Sequence, residues 1–432
     1  MTTQPIEYAP HGRQLNPAEL EIDLFCKGIR IHESCHLDQD ARDFVRARAG
    51  LGSGLELMIP GRKNIWLNAP VTEFFVPFSP YELRFDGNGY QVYHTQDDVY
   101  YEVILPPAPA WYNKKTSTGV RMKEIAVMQG TYLGVYVGGT CAFWLSEPRE
   151  SCKFCATGLH VGTEGADKAF KKVDEVVEVA QEAKRESNIS FVHFNTGFQK
   201  NRGLELCAPF VKAMKERVGA LVGVQAIPSP DLWKYDWMID CGANHFSFCY
   251  ELHNPEYFEK FLPGKARHIR QETFFRAMEY TSRKLGKGAV SGEIIAGIEP
   301  IEDTLNAIDY ITSIGAFPTV CIFRPVEGTD MQDWNSPRYE DMVVVFKHVY
   351  EACMKNGIPI GMAPNIEVSL VVQPNDAEYL VEPSLRYYWY KTKLAVMRSA
   401  AQFIFQREMK PHPVAADADH APVPPVIQNQ TM

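Results

Sequence analysis

No stretch of the chain carries the run of about eighteen apolar side chains that a membrane-spanning helix needs, so no span is expected. The opening MTTQPIEYAPHGRQLNPAEL holds no apolar core of signal-peptide length, which makes the cytoplasm the expected compartment. Cations are outnumbered: 44 Lys and Arg stand against 53 Asp and Glu, a formal charge of −9. A broad grip on nucleic acid needs clustered cations against phosphate, and that class is excluded as an expectation. No internal period of solenoid length appears. Cysteine is modest at ten, and in the cytoplasm thiols, metal ligands or cluster ligands are expected before disulfides.

What is present is ample apolar material: 45% of 432 residues, enough for one large domain with additions or for two. Residues 1–125 read as a β-rich accessory region. YELRFDGNGYQVYHT predicts a hairpin around Asp86–Gly89, VYYEVIL a further strand, and the proline-rich Leu105–Trp111 a boundary. From residue 126 strand and helix alternate. TYLGVYVGG, SFVHFNTG, ALVGVQAIPS, HFSFCYEL, AVSGEIIAGIEP and FPTVCIFRP read as strands, with IPIGM as a candidate seventh. Helices fall between them. One carries Val173, Val176, Val177, Ala180 and Ala183 on one face, and another starts near Asp303 or Thr304 and ends before Gly315. Serial strand–helix units imply a parallel sheet with right-handed crossovers, and the number suits an α/β fold of partial (β/α) TIM-barrel type over residues 126–375. RYYWYKTKLAVMRSAAQFIFQREM reads as one long helix in a C-terminal extension, 376–410, packed on the barrel. The Pro- and Ala-rich 411–432 reads as a disordered tail.

The chemistry concentrates in GTCAFWLSEPRESCKFCATG. Cys141, Cys152 and Cys155 follow the first barrel strand, on the face where such folds carry their sites. Three thiolates suit an iron–sulfur cluster that keeps one iron free of protein, or zinc if His160 supplies a fourth ligand. Inert thiols are the third reading.

The loop resembles the radical S-adenosylmethionine (radical SAM) superfamily. CKFC matches the second half of that family's C-x3-C-x2-C, including the aromatic before the last cysteine. The first spacing here is x10, so seven extra residues must bulge out while still delivering Cys141. Gly292–Glu299 resembles the fifth-strand G-x-I-x-G-x-x-E of biotin-synthase-like members, with Ala296 in place of a glycine. Arg270 and Thr273 resemble their R-x-x-T step, and PVEGTDM their P-x-x-G-T-x-L loop. Asn195–Phe198 stands where the family has a G-G-E-like motif and keeps only Gly197.

The resemblance implies a [4Fe-4S] cluster on Cys141, Cys152 and Cys155, with S-adenosylmethionine on its free iron. Reductive cleavage would give a 5′-deoxyadenosyl radical that takes hydrogen from a small-molecule substrate. It implies cofactor contacts from Phe154, Thr196, Gly197, Glu251, Arg270 and Glu299, oxygen sensitivity, and an electron donor such as flavodoxin or ferredoxin. A homodimer is left open, and no membrane partner is expected. For Glu299 a structural role, capping the following helix or holding a strand end, is the alternative, and for Arg270 a surface helix position. His253 and Arg324 end barrel strands and are candidates to face substrate. Cys249, Cys321, Cys207, Cys241 and Cys353 read as buried structural thiols. Cys26, Cys35, His32 and His36 are a weaker second metal set. Two other classes stay open: a zinc-stabilised ligand-binding barrel, and a non-catalytic relative that binds S-adenosylmethionine.

Overall fold

The computed structural model describes residues 6–37, 54–161, 170–200 and 202–422. The chain begins with helix α1 (Pro17–Lys27), a feature absent from the sequence reading. Asn16 caps it, accepting from the Ala18 and Glu19 amides while Glu19 returns to the Asn16 N–H, and Pro17 takes the first turn. The short strand β1 (Arg30–Ile31) follows, then the hairpin β2 (Leu55–Ile59) and β3 (Ile65–Ala69). The expected hairpin is present as β4 (Tyr81–Phe85) and β5 (Tyr90–His94), paired from Phe85↔Tyr90 to Tyr81↔His94. Its turn is held by Asp86 Oδ1, which accepts from the Asn88 and Gly89 amides, and by Gly87 at φ +95°. Strand β6 (Val99–Val103) completes a sheet in the order β1-β4-β5-β6.

The barrel region opens with β7 (Val127–Gln129) and β8 (Tyr132–Tyr136), followed by the short α2 (Thr157–His160) and α3 (Val173–Ser187). Strand β9 (Phe191–Asn195), α4 (Gly203–Ala213), β10 (Leu221–Gln225), α5 (Trp233–Asp240) and β11 (His245–Glu251) come next. Then come α6 (Pro255–Phe261), α7 (Pro263–His268), α8 (Gln271–Leu285), β12 (Val290–Ala296), α9 (Ile301–Ser313), β13 (Phe317–Ile322), α10 (Tyr339–Asn356) and α11 (Leu385–Glu408). Strands β8 to β13 pair in parallel with their sequence neighbours, which gives a curled partial TIM-type barrel. All six strands read from the sequence are there. Helix α3 buries Val176, Val177, Ala180 and Ala183 as its spacing requires.

Three details differ from the sequence reading. IPIGM forms no strand: Ile358 and Ile360 are buried, but Gly361 turns the chain at φ +61°. The seventh member of the sheet is instead β7, antiparallel to β8. Helix α9 starts at Ile301, which puts Asp303 and Thr304 inside its first turn. Part of the expected disordered tail is placed on the barrel. The carbonyl of Asp417 accepts from Trp237 Nε1 at 2.9 Å, and Ala418 is 3% exposed; residues 423–432 lie outside the described residues.

Side chains alternate across each strand, and the inward set is layered. At the bottom, Tyr132, Phe191, His193, His245 and Phe317 form a chain of ring contacts. Phe405 and Met409 of α11 pack beneath Tyr132, Phe191 and Leu221. Burial presses the His193 imidazole down to about 3 and His245 to about 4, with His245 adding to the shift of His193. The unfolded chain takes up these protons near the ordinary 6.5. Stability from this layer is therefore complete above that value and drains away as pH falls toward 4. The thermal midpoint is expected to fall over that interval. In His193→Leu, which has no proton to gain, the fall should be shallower; equal slopes would contradict the layer's role.

Candidate functional site

The cysteine loop leaves β8 at the C-terminal rim of the barrel. Ten residues separate Cys141 from Cys152, and a set of fastenings folds them back. The Ala142 amide donates to the Phe198 carbonyl at 2.8 Å, just past β9. Phe143 stacks on Phe198 with ring centroids 4.1 Å apart and planes 12° from parallel. Glu150 binds Arg267 and, at 2.7 Å, His268. Asp330 holds both Arg149 and Lys153. The Lys153 amide donates to Phe261 and the Gly264 amide to Glu150, both on backbone carbonyls. The inserted residues thus pack against α6 and α7.

This folding sets Cys141 against the end of β9. A Cβ on Gly197 would lie 2.6 Å from that of Cys141, so the absence of a side chain there makes the approach. The Phe198 amide donates to Cys141 Sγ at 3.3 Å. Cys155 Sγ faces the Thr157 amide at 3.5 Å and its hydroxyl at 3.0 Å. N–H groups aimed at sulfur stabilise thiolate charge and tune iron–sulfur centres. Burial pushes the Cys152 thiol up, and Lys265 pulls against it while Cys155, Glu251 and Cys141 add to the rise. Cys155 is raised by burial too, opposed by its Thr157 contacts. The donor set is therefore thiol-rich, supplied with N–H groups and placed beside a cation, which fits an iron–sulfur cluster.

Among the described residues, His11, Asp23 and His94 bring three ligand atoms within 4.8 Å of one another. At His11 and Asp23 the Lys27 ammonium occupies the centre, 2.8 Å from Asp23 and 3.2 Å from His11 Nε2. The side chain of His160, the alternative fourth zinc ligand, lies outside the described residues. The weaker set is spent locally: Cys26 is buried on α1, Cys35 donates to the Leu83 carbonyl, and His32 accepts from the Ser34 amide.

Of the six cofactor contacts read from the sequence, four line this rim. Phe154, 9% exposed, sits between the last two cysteines. Thr196 and Gly197 directly follow β9; the Gly197 amide donates to the Tyr136 hydroxyl oxygen at 3.1 Å. Glu251 ends β11 at φ +69°, a left-handed conformation that is strained for a glutamate. Its carboxylate accepts from the Lys265 ammonium at 2.9 Å.

The other two go elsewhere. Arg270, at φ +71° before α8, has a side chain 75% exposed and pairs with Glu272 at 3.5 Å. The turn into the helix throws it into solvent. The Glu299 carboxylate accepts from the His253 and Asn254 amides at 2.8 Å each, so it holds the loop after β11. Burial pushes its pKa up to about 7 against those two bonds. Arg324 clamps the accessory region, reaching the Asn68 carbonyl at 2.7 Å and Glu73 at 3.4 Å. His253 stands beside Tyr250 and Phe275, and its ring is lowered by burial.

Sequence reasoning missed two features. Lys265, 5% exposed, joins the Cys249 carbonyl to Glu251; Glu251 and the nearby thiols hold its ammonium above the usual lysine value although burial opposes this. Below it, the Glu293 carboxylate accepts from Gln225, Ser247 and Cys249 in the middle layer of the lumen. Burial pushes the Cys249 and Cys321 thiols up and Glu293 adds to each rise, so both stand beside this polar group. The signal was available: in HFSFCYE, His245, Ser247, Cys249 and Glu251 alternate with aromatic residues.

No family model matches the chain. It is 22% identical over 300 residues to the bacteriochlorophyllide c C-7(1)-hydroxylase of Chlorobaculum limnaeum, covering 65% of this chain and 74% of that protein. Among solved structures it is similar to HydG, a maturase of the FeFe-hydrogenase, at a TM-score of 0.42 and 14% identity, covering 54% of this chain and 52% of that one. It is also similar to a radical SAM methyltransferase from Sphaerobacter thermophilus, at a TM-score of 0.39 and 12% identity, covering 66% and 77%. The chain thus spans about half the length of HydG. At these scores the structural likenesses add no weight. The 300-residue likeness to a named enzyme, at 22% identity, stands beside the order of motifs along the barrel.

Gly197→Ala tests the approach of Cys141. Its methyl group would push that cysteine away, so iron content after anaerobic reconstitution is expected to drop while the circular dichroism melt is unchanged. Full iron content in the variant would contradict the geometry.

Proposed function

We propose that the chain is a radical SAM enzyme whose Cys141, Cys152 and Cys155 hold a [4Fe-4S] cluster and leave one iron for S-adenosylmethionine. The observation that carries this reading is the rim itself: three thiols, amides aimed at two of the sulfurs, and a buried Lys265–Glu251 pair beside them. When bound, the cluster supplies the electron that breaks a sulfonium–carbon bond and yields a carbon radical.

The rest belongs to side chains of this protein. Lys265 offsets the negative charge that three thiolates bring into a buried rim. Phe154, Thr196, Gly197 and Glu251 would hold S-adenosylmethionine. The polar lumen around Glu293 lies below and would orient a small organic substrate, while the aromatic floor excludes water from beneath. The curated relative is a hydroxylase by name, which favours chemistry at a C–H bond; its own substrate is not carried over.

Reconstituted without oxygen, the protein is expected to be brown, to contain iron and acid-labile sulfide, and to release 5′-deoxyadenosine on reduction with S-adenosylmethionine. Each of Cys141→Ala, Cys152→Ala and Cys155→Ala should abolish release. Lys265→Met should keep its iron but cleave roughly ten- to a hundredfold more slowly. A colourless zinc protein would overturn the reading. Binding of S-adenosylmethionine without any cleavage would leave a non-catalytic relative.

A further inference from the structure

Helix α11 has two apolar faces. The inner one buries Tyr387, Tyr390 and Leu394 and packs Phe405 and Met409 against the barrel floor. On the outer one Leu385, Trp389, Val396 and Phe403 fall within about 20° of a single line, taking 3.6 residues per turn. They are 91%, 69%, 64% and 77% exposed, with Tyr388 at 60% and Ile404 at 61% on the flanks. Scattered apolar residues on a surface need no account, but six on one helix form a continuous patch.

The charge of the segment narrows what covers it. Residues 385–410 carry six Lys or Arg and one carboxylate, in a chain whose formal charge is −9. That carboxylate, Glu408, is turned inward to the buried Lys215 at 2.9 Å, and Lys391 is tied to Glu378. The outward half keeps Arg386, Lys393 and Arg407 interleaved with the apolar line, and no acid. A second copy laid antiparallel about Val396 would bring Arg407 beside Leu385 and Arg386 with nothing to neutralise it. A surface of anionic lipid complements both the apolar line and the cations.

We propose that α11 is an interfacial helix that lies flat on an anionic membrane, its Leu–Trp–Val–Phe line at the acyl boundary and its cations among the headgroups. No helix among the described residues is long and apolar enough to cross a bilayer, so the contact is peripheral. The proposal is independent of the cluster.

Flotation of the full-length protein with phosphatidylcholine vesicles, with and without phosphatidylglycerol, tests it. Binding is expected only to the anionic vesicles, with a blue shift of tryptophan fluorescence, and should be released by salt. Trp389→Glu and Phe403→Glu, both at exposed positions, should abolish it. Lys393→Glu and Arg407→Glu should each weaken it at least about fivefold. The proposal is overturned if the protein stays unbound with both vesicle types, or if Phe403→Glu binds as well as the parent. A dimer by light scattering that Phe403→Glu dissolves, without vesicle binding, would assign the face to a second copy.

Discussion

Three thiols share one centre only if Cys141 is carried back across ten intervening residues, and the contact that does this is its seat on Gly197 at the end of β9. The Phe143–Phe198 stack and the Ala142–Phe198 hydrogen bond sit on either side of that seat. Together they convert a long loop into a short span between two neighbouring strand ends. Glu150 then pins the far side of the loop through Arg267 and His268, close to the α7 segment that supplies Lys265. Loop fastening and charge compensation therefore depend on the same few residues.

The barrel interior is graded from floor to rim. Buried rings and two histidines kept neutral form the bottom, hydrogen-bonded polar groups the middle, and thiols with a buried ion pair the top. The accessory region is tied to the barrel beside β13 through Arg324.

The barrel was legible because its strands are near-continuous apolar runs and its helices keep a 3.6-residue period. Cys152 and Cys155 stand out in CKFC, and Cys141 is read with them from its place in the loop after the first barrel strand. Helix α1 was not: Glu21 and Asp23 are fully buried on it and break the amphipathic pattern, although Asn16, Pro17 and Glu19 spell its start. Lys265 was missed because a lysine in PGKARH reads as a solvated loop residue, and only the tertiary contact with Glu251 buries it. For Arg270 the motif match is local, whereas the direction of its side chain is set by the turn into α8, the surface alternative that the sequence also allowed. The tail from residue 411 misled by composition, since Trp237 and Lys215 give its first part backbone partners.

The central claim is a metal centre that three thiols hold and one iron leaves open. Mössbauer spectroscopy of protein reconstituted with iron-57, before and after S-adenosylmethionine, tests it most directly. The account expects four irons of which a single one changes its isomer shift and quadrupole splitting on addition. A spectrum that does not respond, or a centre with all irons equally and permanently ligated by protein, would contradict it.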